Sequence, residues 1–101
     1  MRIRFVPAAR RELYSIALAY ERKRDGLGDR FLLEAERTIA FIKAYPLARE
    51  PILGATRRWR LSRFPHGLLY AVENGVIYVL AVGHLRRNPK FWKQRSRRVR
   101  E

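Results

Sequence analysis

The residues best suited to chemistry cluster near the C-terminal end of the chain. An apolar run closes on Gly83, and His84, Leu85, Arg86, Arg87, Asn88 and Pro89 follow, with Phe91, Trp92 and Arg95 behind them. His84 is the one plausible general base in this stretch, because an unperturbed imidazole titrates near neutrality. Its alternative role, the ordinary one for a lone histidine, is to cap the strand end through a neighbouring backbone group. Arg86 and Arg87 suit two-pronged recognition of a phosphate or of an acidic partner side chain, or else form a solvated strand end. Upstream, Arg58, Arg60 and Arg63 fall in a basic stretch. They read either as part of the same cationic surface or as an edge guarded by charge. Phe91 and Trp92 read more naturally as packing than as base-stacking rings. His66 falls in a turn-like Phe64-Pro65-His66-Gly67 and is assigned no role.

The elements that must hold these residues follow from periodicity. Two β-rich runs flank Asn74-Gly75, a strong signal for a two-residue hairpin turn. One strand spans about Leu68 to Glu73 and the next spans Val76 to Val82. This register sets Glu73 opposite Val76, Val72 opposite Ile77, Tyr70 opposite Val79 and Leu68 opposite Ala81. One face then carries Leu68, Tyr70, Val72, Ile77, Val79 and Ala81. The other carries Leu69, Ala71, Glu73, Val76, Tyr78, Leu80 and Val82, so both faces are mostly apolar. Helices can cover only one of two apolar faces. The segment after Pro89, a second copy or another protein must cover much of the other.

Earlier in the chain, Arg2 to Val6 alternates as a short strand, and Pro7 suits the first turn of a helix. Ala9, Leu13, Ile16, Ala17 and Tyr20 form a helical stripe ending at Asp25-Gly26, with Gly26 as its left-handed cap. A second helix, from about Gly28 to Tyr45, carries Phe31, Ala35, Ile39 and Ile42, with Leu32 and Tyr45 at the edges, and Pro46 stops it. The short join predicts an antiparallel helix hairpin. Residues 46 to 55 read as a loop. Arg57 to Arg63 alternates, with Trp59 and Leu61 on one side and Arg58, Arg60 and Ser62 on the other.

The totals bound the function. The chain has 101 residues, enough for one domain. Lys and Arg number 23 against 9 Asp and Glu, a formal net charge of +14. Such an excess costs stability through self-repulsion and points to a polyanionic or acidic partner. Eight of the cations fall in the last sixteen residues, against Glu101 alone, and the tail from about 93 to 101 is expected to fray. Absence of cysteine excludes disulfides and thiolate metal sites and fits a reducing cytosol. No signal peptide or membrane-spanning run is read, so the expected location is cytoplasmic. No metal and no cofactor is expected.

The order of strand, helix hairpin and three-strand meander in so basic a chain resembles the RelE/ParE superfamily of bacterial type II toxins, the plasmid stabilisation proteins. The residues that carry it are Ala9 and Leu13, Gly28 and Phe31, Pro46, Phe64-Pro65, Leu69-Tyr70, and His84-Leu85-Arg86-Arg87-Asn88-Pro89 with Trp92 and Arg95. The similarity spans essentially the whole chain and leans to the ParE side. It implies an α+β fold: an N-terminal strand, an antiparallel helix hairpin packed on an antiparallel β-meander, and a short basic C-terminal segment. It also implies a cognate acidic antitoxin, with a homodimer or a toxin–antitoxin heterotetramer left open, and one of two targets. ParE-like members poison DNA gyrase; RelE-like members cut messenger RNA on the ribosome, without a metal. Candidate target- or antitoxin-binding residues are Arg58, Arg60, Arg63, Arg86, Arg87, Trp92 and Arg95.

Cleavage by a 2′-OH needs a base for its proton, cations for the phosphate charge and an acid for the leaving oxygen. His84, Arg86, Arg87 and Arg60 are the candidates. By the resemblance, Arg60 matches one nuclease cation. A second arginine position falls on Gly67, a third on Leu85, and a tyrosine position on Phe91, which has no hydroxyl. A one-residue shift brings Arg86 or Trp92 into line instead. These losses favour a toxin that acts by binding over a nuclease. A plain nucleic-acid-binding module is the third reading.

Overall fold

The computed structural model describes residues 1–92 and Arg95. Its elements are β1 (Arg2–Phe5), α1 (Pro7–Lys23), α2 (Leu27–Ala44), β2 (Pro51–Leu53), β3 (Thr56–Arg60), β4 (His66–Glu73) and β5 (Val76–His84), then a single 3-10 turn at Pro89–Trp92. The sheet order is β1-β5-β4-β3-β2. From β2 to β5 the strands are antiparallel. β1 lies parallel to β5, with Phe5 opposite Val79. The predicted α+β architecture is therefore present. The residues predicted to fray lie, apart from Arg95, outside the described ones.

Pro7 opens α1 where no donor is needed. Ala9, Leu13 and Ala17 are buried, with Ile16 and Tyr20 packed at their flanks. The helix ends at Lys23, earlier than a Gly26 cap requires. Gly26 does adopt a left-handed φ of 85°, but as the residue that leads into α2. The reason lies in Glu21. Its carboxylate accepts the Gly26 N–H at 2.9 Å and the Gly28 N–H at 3.0 Å. One helix thus caps the next, satisfying donors that α2 cannot satisfy itself. At Gly28 an added Cβ would sit 2.5 Å from the Ala17 carbonyl oxygen, so glycine sets how closely the hairpin closes.

In α2, Phe31, Ala35 and Ile42 are buried as the stripe predicts. Tyr45 instead lies past the helix end and is exposed. Two polar residues are buried that periodicity assigns elsewhere. Thr38 donates its hydroxyl to the Glu34 carbonyl at 2.8 Å, and Glu34 pairs with Arg37 at 3.0 Å.

The sheet departs from the sequence reading at three places. The predicted loop 46–55 contains strand β2, which pairs with Thr56 and Arg57 around Gly54. β3 ends at Arg60 rather than Arg63, because Arg63 turns the chain at a φ of 69°. The third departure is in the hairpin. Asn74 and Gly75 both have positive φ, as the turn requires, and the register runs as predicted to Tyr70 opposite Val79. Leu80 is then an extra residue. Leu69 faces Ala81, and Leu68 faces Val82 rather than Ala81. This bulge exchanges the two faces beyond it. Val82 joins Leu68, Tyr70, Ile77 and Val79 beneath the helices. Ala81 moves to the far face with Leu69, Ala71 and Leu80. That face is covered by the segment after Pro89, through Trp92, which is 2% exposed, and Phe91 beside it.

Candidate functional site

The site is built around the end of β5. His84 pairs with His66 across the β4–β5 ladder, so His66 is a strand residue and not part of a turn. It is buried among rings, with centroids 5.3 Å from Phe31, 5.8 Å from Tyr20 and 5.5 Å from His84. Burial, and then the nearby His84 charge, hold its pKa below the ordinary 6.5. Its Nδ1 is buried without a hydrogen-bond partner among the described residues. His84 itself is exposed. Its Nδ1 accepts the Arg86 N–H at 3.0 Å, which puts the proton of the neutral ring on Nε2. The histidine thus has the capping geometry.

Arg87 and Arg95 converge on one carboxylate. Glu12, on α1, accepts Arg87 Nη1 at 3.1 Å and Arg95 Nη1 and Nη2 at 2.8 and 3.3 Å. It also accepts the Val82 N–H at 3.2 Å, while Arg95 donates to the Leu80 carbonyl at 3.0 Å. Arg87 lies 3.6 Å above the Phe91 ring, and Arg95 stands 5.3 Å from it. Glu12 is not among the residues singled out from the sequence.

Arg58, His84 and Arg87 surround a depression of only about 10 Å3 over Gly67, Gly83, Phe91 and Trp92. A Cβ at Gly67 would lie 3.1 Å from Arg58 Cγ and 3.2 Å from Leu85 Cδ2, and one at Gly83 would lie 3.5 Å from Phe91 Cζ. The three positions that the resemblance assigns to nuclease side chains, Gly67, Leu85 and Phe91, therefore gather at one spot, filled by aliphatic and aromatic groups. Arg60 and Arg63 do not join it. They line a separate groove of about 410 Å3 with Arg37, Phe41 and Trp59. Arg86 is exposed beside the first cluster. Among the described residues no group of His, Asp and Glu is placed to hold a metal ion.

Comparison with known proteins matches residues 3–89 to the model of a family described as ParE toxin of type II toxin-antitoxin system, parDE. A structure of the chromosomal ParDE toxin–antitoxin system from P. aeruginosa superposes with a TM-score of 0.65 at 16% identity, covering 85% of this chain and 97% of that one. The RelBE2 toxin–antitoxin complex from Mycobacterium tuberculosis gives 0.58 at 22% identity, covering 82% and 95%. These two likenesses speak for the fold. No curated protein matches significantly.

Proposed function

The chain belongs to the ParE toxin family of type II toxin–antitoxin systems, and from that premise we propose that it arrests bacterial growth by binding DNA gyrase and is neutralised by a cognate acidic antitoxin. The carrying observation is the filled spot at Gly67, Leu85 and Phe91. A phosphate needs room and unengaged donors next to a base. At the Gly67 spot the room is absent, Arg87 Nη1 is paired to Glu12, and the His84 Nδ1 lone pair is taken by a backbone donor. Binding chemistry needs no general base and no phosphate site at that spot.

Two features support a polypeptide partner. The chain carries a charge of +14, and its helices expose large apolar side chains, Tyr14 and Leu18 on α1 and Leu33 and Phe41 on α2. An acidic segment with apolar anchors answers both. The proposal carries a cytoplasmic location with it.

The test is induction of the chain alone in bacteria, with an SOS reporter and a map of transcript 5′ ends read in the same cells. SOS induction with intact transcripts is the expected result. Cleavage at codon boundaries without SOS would instead make the chain a ribosome-dependent, metal-independent endoribonuclease. Tight, salt-sensitive binding of free nucleic acid without growth arrest would make it a nucleic-acid module.

A further inference from the structure

We propose that the cleft between α1 and the end of β5 is a receptor for an acidic side chain of a partner polypeptide, and that Glu12 is the resident carboxylate with which that side chain competes. This rests on the reading that the chain acts by binding a protein.

The cleft measures about 570 Å3, far more than the spot beside Gly67, and its lining includes Arg11, Glu12, His66, His84, Arg87 and Arg95. Three arginines and one carboxylate are among its lining residues, so the lining carries a surplus of positive charge. The donor geometry already suits a carboxylate. Arg95 meets both Glu12 oxygens with two nitrogens, and Arg87 adds a third bond. The Arg87 side chain is still 47% exposed, and Arg11 is exposed at the rim. These two are the groups a second carboxylate would meet.

The backbone argues for a polypeptide over a nucleic acid. β1 pairs with β5 only as far as Val79, where the Val6 N–H bonds the Val79 carbonyl at 3.0 Å. Beyond it, among the described residues, no strand lies beside the outer edge of β5. Two side chains take the place of one: Glu12 accepts from the Val82 N–H, and Arg95 donates to the Leu80 carbonyl. An extended peptide supplies backbone groups for such an edge together with a carboxylate. A phosphodiester chain supplies no N–H donors from its backbone.

The chain has two histidines, and both line this cleft. Their ring signals in a 1H–13C NMR spectrum of the full-length protein therefore report on it directly. A capped tetraglutamate peptide, titrated at constant ionic strength, is expected to shift the His84 signal to saturation. Arg87→Gln and Arg11→Gln should each weaken the apparent affinity about tenfold, the size of a lost charge-assisted contact. Arg11 makes no bond to Glu12, so Arg11→Gln leaves the clasp intact and separates binding from folding. Glu12→Gln should tighten binding by removing the competitor. The proposal is overturned if neither signal moves, if the shift is the same in Arg11→Gln, or if a single-stranded oligonucleotide saturates the signals at lower concentration than the peptide. Saturable binding without SOS induction would sink the gyrase reading alone, and SOS induction without peptide binding would sink the cleft alone.

Discussion

Glu12 and Arg95 form a two-pronged pair, with Nη1–Oε1 at 2.8 Å and Nη2–Oε2 at 3.3 Å. Their side chains are 17% and 20% exposed, so water screens the pair weakly. A double-mutant cycle of Glu12→Gln and Arg95→Gln, read by urea unfolding, should give a coupling of about 1–2 kcal/mol. The same cycle with Arg87, which is 47% exposed, should give less than about 1 kcal/mol. Equal couplings would show that Arg95 is not the principal partner.

Trp92 joins the C-terminal segment to the sheet. Its ring is 2% exposed and lies with Leu69, Ala71, Leu80 and Ala81. Trp92→Ala should cost about 3 kcal/mol and uncover that face, so binding of a hydrophobic dye to the folded protein should rise. A variant with unchanged unfolding midpoint and no dye signal would mean that the ring is not what covers the face.

Gly28 is held by geometry rather than by turn conformation. A methyl group there meets the Ala17 carbonyl at 2.5 Å, and backbone cannot step aside as a flexible side chain can. Gly28→Ala should lower stability by about 2 kcal/mol or more, although alanine is the better helix former by about 1 kcal/mol. A stabilised variant, judged by its thermal midpoint, would contradict the close approach of α1 and α2.

His66 makes stability depend on pH in a defined direction. Its pKa in the folded protein lies below 6.5, first through burial and then through the His84 charge. The unfolded chain therefore binds the proton more readily. Stability is unaffected by this group well above 6.5 and falls as the pH drops through that value toward the folded pKa. His66→Phe, which keeps a ring among Tyr20 and Phe31, should flatten the slope of urea midpoints between about pH 7 and pH 5. An unaltered slope would assign it to other groups.

Much of the fold was legible because its determinants are local. Asn74-Gly75 announces the hairpin, and Pro7 and the two apolar stripes announce the helices. The errors arise where a distant contact decides. Phe64-Pro65-His66-Gly67 reads as a turn, yet His66 and Gly67 pair with His84 and Gly83. The Leu80 bulge has no signature in an unbroken apolar run, and it reverses the faces assigned to Ala81 and Val82. Of the candidate residues, His84, Arg58, Arg87, Trp92 and Arg95 do gather at one end of the sheet, whereas Arg60 and Arg63 stand apart. Glu12 was illegible as their organiser because its partners lie 75 and 83 residues away.

The parallel pairing of β1 with β5 has a temporal consequence. β1 leaves the ribosome well before β5 and takes its place in the sheet only beside it. Pairing across so long an intervening loop is intrinsically slow. A nascent chain carries β1 without a neighbour until β5 emerges, and Glu12 without Arg95 until later still. On the proposed function, growth arrest should therefore require synthesis through β5 and Arg95, and translation products stalled before β5 should be harmless.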